Sequence, residues 1–245
     1  MKTKKDRLDK IVFEKGLAKT RANAQALILS GSVVVDGKVS AKPGMPVACT
    51  AEIFIKKPAP YVSRGGLKLE SAFKHFKISL LGKTCMDIGA STGGFSDFML
   101  QHGARKVYAV DVGKNLLHER LKKDPRIVNI EKTNFRYFPK ELLKENIEFV
   151  TIDVSFISLG KIIPVAKEIL APGGEMVALV KPQFESPARE LKNGVVKDES
   201  VRQKAIEKIK TFSNNLGLTL LGEADSGIKG PEGNIEHFLW LKKSA

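Results

Sequence analysis

From residue 84 onward, short apolar runs alternate with amphipathic stretches. The runs predict strands over 84–89, 106–111, 127–131, 147–153, 174–181, 219–225 and 235–242. Apolar residues recurring at three- and four-residue spacing predict helices near 94–102, 115–122, 139–144, 158–170 and 198–215. Such alternation means an α/β domain: a mostly parallel sheet covered on both faces. The last run, Ile235-Glu236-His237-Phe238-Leu239-Trp240-Leu241, is apolar on both faces.

The first 60 residues follow a different pattern. Leu8, Ile11 and Val12 share one face of a first helix. Thr20 is placed to cap a second helix carrying Ala22, Ala26, Leu27 and Leu29, closed by Gly31. In Val33-Val34-Val35-Asp36-Gly37-Lys38-Val39 the Asp-Gly pair predicts a hairpin turn, and 52–56 predicts a further strand. Lys57-Pro58-Ala59-Pro60 breaks regular structure and reads as a linker. The expected organisation is a small α+β domain over 1–60, a linker and lead-in helix over 61–83, and the α/β domain over 84–245.

Charge adds a partner to this picture. The 245 residues carry a net charge of +14. Residues 1–60 hold 12 basic against 5 acidic side chains, half of that excess in a quarter of the chain. A basic patch so concentrated favours a polyanion. Cys49 and Cys85 are the two cysteines, so no disulfide framework is indicated and a reducing cytoplasm is expected. No apolar run is long enough to span a membrane, and His75, His102, His118 and His237 lack metal-ligand spacing.

The most informative stretch is Thr84-Cys85-Met86-Asp87-Ile88-Gly89-Ala90-Ser91-Thr92-Gly93-Gly94-Phe95. A strand runs into an acid and a Gly-rich turn, and a helix follows. Such a turn brings backbone N–H groups close to a ligand. The next strand ends at Asp111, where a carboxylate can accept ribose hydroxyls. Ser91 stands where the dinucleotide fingerprint needs its second glycine, and no P-loop Lys follows Gly94. An acid before the glycines suits a cationic ligand, and Asp87-x-Gly-x-x-x-Gly is the order expected for S-adenosylmethionine. Asn134, after the third strand, either approaches the adenine or serves a turn. Phe156 is read as a core residue, with stacking on a ligand as the alternative.

Catalysis in open α/β sheets gathers at the carboxyl ends of strands. Asp153 and Lys181 each close an apolar strand, and Glu236 belongs to the same edge if the final strand is antiparallel. A Lys ending such a strand is partly desolvated, which favours the neutral amine and fits it to act as a general base. Methyl transfer from a sulfonium has a good leaving group, so the protein must align the acceptor and take its proton. Methylation of base amino groups generally uses an acid or amide followed by prolines, which Asp153-Val154-Ser155-Phe156 lacks. Carbon-5 methylation needs a nucleophilic Cys, and neither cysteine is placed for it.

Two resemblances follow from quoted residues. Arg7-Leu8-Asp9, Thr20-Arg21-Ala22-x-Ala24, Ile28 and Gly31-x-Val33-x-Val35-Asp36-Gly37 resemble an S4 RNA-binding domain. That resemblance implies an RNA-binding face, for which Arg7, Lys10, Lys19, Arg21 and Lys38 are the candidates; Arg64, beyond that domain, is a further RNA-binding candidate. Lys68, Asp153, Lys181 and Glu236 fall in the order of the K-D-K-E tetrad of FtsJ-type ribose 2′-O-methyltransferases. Tyr61-Val62-Ser63-Arg64-Gly65-Gly66-x-Lys68-Leu69, Asp153-Val154-Ser155-Phe156-Ile157-Ser158 and Val180-Lys181-Pro182-Gln183-Phe184-Glu185 extend the likeness. Nearly the whole chain is similar to the TlyA (hemolysin A) family.

The family implies a seven-stranded Rossmann-like methyltransferase sheet whose last strand is antiparallel. It also implies S-adenosylmethionine held by Asp87, Gly89, Ser91, Thr92, Gly93, Gly94, Phe95, Asp111 and Asn134. Ribosomal RNA or ribosomal subunits would be the partner, with a cytidine 2′-hydroxyl as acceptor. The competing expectations are a non-catalytic RNA-binding or ribosome-assembly factor, and a membrane-active hemolysin. Loop 185–200, with Arg189, Lys192 and Lys197, is expected either to close on RNA or to be a plain surface loop.

Overall fold

The computed structural model describes residues 4–56, 59–230 and 232–245. Part of the expected linker, 57–58, lies outside them. The chain divides into two compact units, residues 1–59 and 60–245.

The first unit runs β1 (Lys5–Arg7), α1 (Leu8–Glu14), α2 (Arg21–Leu29), β2 (Val33–Val35), β3 (Lys38–Ser40), β4 (Pro46–Ala48) and β5 (Ile53–Ile55). Leu8, Ile11 and Val12 of α1 are buried as the spacing predicts. The Thr20 side chain accepts the Asn23 N–H at 3.1 Å, the expected cap. The buried face of α2 is Ala24 and Ile28, whereas Leu29 is 66% exposed. Four-residue spacing, not apolar content, sets that face. Asp36 (φ 46°) and Gly37 (φ 77°) form the tight turn joining β2 to β3, and β5 pairs with the other side of β2. The short β1–β4 ladder gave no sequence signal.

The second unit begins with α3 (Arg64–His75) and continues with β6 (Thr84–Ile88), α4 (Gly94–Gln101), β7 (Lys106–Val110), α5 (Glu119–Lys122), β8 (Ile127–Ile130) and β9 (Ile147–Ile152). Then come α6 (Ile163–Ile169), β10 (Leu170–Val180), α7 (Pro182–Glu185), α8 (Glu199–Asn215), β11 (Leu218–Asp225) and β12 (His237–Lys243). One seven-stranded sheet has the order β11-β12-β10-β9-β6-β7-β8. β12 runs antiparallel to both neighbours, and the β6–β10 pairings are parallel. The α/β seven-stranded class expected from the sequence is the class found.

Strand periodicity distributes the core. Cys85, Val107, Phe149, Val177 and Phe238 pack with α3 and α4 on one face. Met86, Tyr108, Val150, Met176 and Leu239 pack with α6 and α8 on the other. The segment 61–83 is part of this unit: α3 packs on α4 through Phe73 and Phe98, whose rings meet edge-on at 4.8 Å. Two expected helices are much reduced. Region 115–122 keeps only α5, started by His118, whose Nδ1 accepts the Arg120 N–H. Region 139–144 holds a single 3-10 turn, Lys140–Leu142.

Candidate active site

β6 ends at Ile88, and Gly89 turns the chain at φ 84°. A Cβ on Gly89 would stand 2.4 Å from the carbonyl oxygen of Asp153, so only glycine lets the two strand ends approach this closely. Gly93 (φ 91°) opens α4, and a Cβ on Gly94 would meet Ser63 Oγ at 2.3 Å and the Gly66 nitrogen at 2.8 Å. The loop is thus pressed between α3 and the β9 end. Phe95 is buried beneath it against Phe238.

Two carboxylates hold the loop. Asp87, 1% exposed, accepts from the Ser96 N–H (2.8 Å), the Ser96 hydroxyl (2.7 Å) and the Thr151 hydroxyl (3.2 Å). Burial pushes its pKa up to about 7 against the opposing pull of these donors. Asp111 accepts the Ser91 N–H through Oδ2 and the Gly113 N–H through Oδ1, both at 2.8 Å. Ser91 takes φ 48° to make its contact. Each Asp111 oxygen keeps a lone pair, so the carboxylate that shapes the loop can still accept from a ligand.

The four residues expected to act together fall into two ion pairs at the carboxyl edge of the sheet. Asp153 follows β9 and Lys181 follows β10, with Lys181 Nζ 2.6 Å from Asp153 Oδ1 and 2.9 Å from Ser155 Oγ. The contact to Asp153 is ionic and lacks hydrogen-bond direction, leaving Oδ1 a buried acceptor without a directed donor. Glu236 precedes antiparallel β12 and so reaches the same edge, since His237 is in register with Val180. Lys68, on the second turn of α3, donates to Glu236 Oε2 at 2.6 Å, and both are buried.

Three adjoining cavities run along this edge. The first, about 340 Å³, is lined by Ser63, Arg64, Lys68, Asp87, Gly89, Ser91, Thr92, Phe95, Asp153 and Lys229. The second, about 320 Å³, shares Gly89, Ser91 and Asp153 with it and adds Asp111, Val112, Leu116, Asn134 and Phe156. The third, about 470 Å³, shares Ser155 and Phe156 with the second and adds Lys181, Gln183, Phe184 and Glu236. Asn134 both lines the second cavity and caps a 3-10 turn, its Oδ1 accepting the Arg136 N–H at 3.1 Å.

Several residues depart from expectation. Phe156, read as core, is 91% exposed at φ 63°, with its ring centroid 5.1 Å from that of Phe184. A left-handed backbone there turns the side chain outward between two cavities. Arg64, assigned to the RNA face, lines the first cavity and donates to the Lys229 carbonyl at 3.3 Å. Lys229 was missed, because its loop carries no periodicity to mark it as near a strand end. Ser155 sat inside a quoted motif without a role.

In the first unit, the RNA-binding candidates split by partner. Asp9, wholly buried, accepts from both Arg7 and Arg21, whose side chains stay about half exposed. The Arg7 guanidinium holds the Asp9 carboxyl well below the ordinary carboxylate range, with Gln25 and Arg21 acting in the same direction. Lys10 pairs with Asp6 at 2.6 Å, and Lys19 and Lys38 are exposed.

Residues 61–243 match the FtsJ-like methyltransferase family, and residues 6–52 match the S4 domain. The chain belongs to the FtsJ-like methyltransferase family. This methyltransferase is 46% identical over 244 residues to YqxC of Bacillus subtilis (strain 168), covering 98% of this chain and 87% of that one. It is 37% identical to the 16S/23S rRNA (cytidine-2′-O)-methyltransferase TlyA of Mycobacterium tuberculosis, covering 96% of this chain and 89% of the relative. A solved structure from Streptococcus thermophilus that carries the name hemolysin superposes with a TM-score of 0.76 at 43% identity, covering 99% of this chain and 90% of the other.

Proposed function

We propose that this chain transfers a methyl group from S-adenosylmethionine to the 2′-hydroxyl of a cytidine in ribosomal RNA, with Lys181 as the general base. One observation carries the reading: Lys181, held by Asp153 and Ser155, lines a cavity adjoining the one at the Gly-rich loop, the two sharing Ser155 and Phe156. The names of the relatives support ribosomal RNA as the substrate, and such a substrate goes with a cytoplasmic place of work and ribosomal subunits as partners.

The residues present fit the cofactor. The loop has room only for glycine at Gly89 and Gly94, which leaves its backbone open to close approach. Asp87 and the first cavity suit the cationic methionine end; Asp111, Asn134, Val112 and Leu116 suit the adenosine. When bound, S-adenosylmethionine supplies a methyl group on a positively charged sulfur. The protein's part is alignment and proton removal. Lys181 Nζ, once its ammonium proton has passed to solvent, takes the 2′-hydroxyl proton as the new C–O bond forms and the sulfur–methyl bond breaks. Asp153 and Ser155 fix the lysine's direction, and the Lys68–Glu236 pair braces the far wall. The exposed Phe156 ring offers an apolar platform for the acceptor base.

A protein that only bound RNA would have no need of Lys181 and Glu236 together at this edge, each in an ion pair. For the hemolysin reading, no helix among the described residues is long and apolar enough to cross a membrane. The deciding experiment is transfer of tritiated methyl to purified ribosomal subunits, followed by digestion to nucleosides. Label on ribose, lost in Lys181→Ala with cofactor binding retained, is the expected result. Label on a base, or full activity in Lys181→Ala, overturns the assignment.

A further inference from the structure

Asp9 is a wholly buried acid in the most basic quarter of the chain, and its side-chain partners are two half-exposed arginines and a glutamine. Its Oδ1 accepts from Arg7 Nε at 3.0 Å, and its Oδ2 from Arg7 Nη2 at 3.1 Å, a bidentate pair. Arg21 approaches the same two oxygens from α2, Nε to Oδ2 at 3.2 Å and Nη2 to Oδ1 at 3.4 Å. Gln25 adds a 2.8 Å bond to Oδ2, and the Lys10 N–H one of 3.0 Å to Oδ1. Two guanidinium forks from different elements therefore converge on one carboxylate. Arg7 lies flat enough against Gly44 that a Cβ there would stand 3.2 Å from Nη1.

Each guanidinium has five N–H donors, and the carboxylate occupies two of them. Three donors remain on each, and both side chains are about half exposed. One negative charge against two positive ones leaves the cluster cationic. Free arginine side chains lose considerable rotamer freedom when they grip a phosphate; these two have already lost it on folding.

We propose that Asp9 is a positioning residue that sets Arg7 and Arg21 at a fixed spacing and orientation as a preformed clamp for the RNA phosphodiester backbone. The inference rests on the reading that this unit binds RNA and adds how its two arginines are made ready. It separates from a simple charge effect by sign. Removing a negative charge beside a polyanion strengthens binding if net charge is what matters. Removing an organiser weakens it.

The test uses the full chain, an equimolar mixture of purified small- and large-subunit rRNA, and filter binding over a salt series. Asp9→Asn keeps the shape of the side chain, and its carbonyl can still accept the Lys10 N–H. It should bind RNA about tenfold more weakly, despite its added positive charge, and show a shallower dependence on salt. Arg7→Lys, which keeps charge and loses the fork, should weaken binding in the same direction. In an Arg7→Ala/Arg21→Ala background, Asp9→Asn should cause no further loss. Equal or tighter binding by Asp9→Asn overturns the clamp. So does an additive loss in the triple variant, which assigns the effect to damaged folding of the unit. If the unsubstituted chain itself fails to bind rRNA, the underlying RNA reading falls; if it binds and only the Asp9 comparisons fail, that reading stands without the clamp.

Discussion

The Nζ of Lys68 lies 2.6 Å from the Oε2 of Glu236, joining α3 to the start of β12 in a site where the two side chains are 11% and 1% exposed. Removing one partner strands the other charge in the interior. Lys68→Met should cost about 3–5 kcal/mol by denaturant unfolding. Lys68→Met with Glu236→Gln should recover most of that loss, because no buried charge is left alone, yet methyl transfer should stay impaired. Equal stability for the single and double variants would show that the two charges are not coupled.

Asp87 makes stability depend on pH in an unusual direction. Its folded pKa is raised, chiefly by burial, to about 7, above the ordinary value of 3.8. Between those two values the folded chain holds a proton that the unfolded chain releases. Its contribution is fully present below the unfolded value and fades as pH rises through the folded one. Asp87→Asn should therefore gain stability relative to the parent chain on going from pH 4 to pH 8, by about 4 kcal/mol at most. Thermal melts across that range check this; a constant difference would place the shift elsewhere. A cationic ligand beside Asp87 favours the ionised form, so S-adenosylmethionine should bind more tightly at pH 8 than at pH 6, with proton release visible by calorimetry in buffers of different ionisation enthalpy.

The turn at Gly89 tolerates no side chain. Gly89→Ala combines φ 84° with a 2.4 Å approach to a backbone carbonyl, and neither strand end can retreat without breaking the Asp153 N–H to Ile88 carbonyl bond of 2.9 Å. A loss of about 3 kcal/mol and of measurable cofactor binding is expected. Gly173→Ala is the control: φ is 71°, nothing among the described residues lies within 4 Å, and about 1 kcal/mol should be lost with cofactor binding intact. Similar losses at both positions would mean that backbone strain alone is at work.

Phe156 sets stability against activity. It occupies the left-handed region with its ring almost wholly in solvent, so nothing in the core depends on it. Phe156→Asn, which adopts that region readily, should leave the melting temperature unchanged or raise it slightly. Methylation of rRNA should fall at least tenfold through weaker placement of the acceptor. A marked drop in melting temperature would return the ring to a packing role.

What was legible in the sequence follows from periodicity. An apolar run that closes on a charged residue marks a strand end, so the sequence alone places Asp153, Lys181, Asp111 and the Gly-rich turn at one edge. Lys68 could not, because helix spacing alone does not distinguish a buried lysine from a solvated one; the family likeness supplied it. Loops defeated the reading where a single backbone angle decides direction. Phe156 looks apolar and adjoins a strand, yet φ 63° turns it outward. Lys229 and Arg64 share a cavity through a loop whose composition carries no period. Asp9, buried among cations, was visible only as part of an S4-like string.

The position of β12 has a consequence for when the enzyme comes into being. It is the last strand in the chain and is seated between β10 and β11, carrying Glu236 at its head. A polypeptide still being synthesised has the glycine turn, Lys68 and Lys181 long before the strand that unites the sheet. A ribosome making this protein would therefore hold a product with an open seam, in which Lys68 still lacks its carboxylate partner, until translation has passed the strand that closes the sheet.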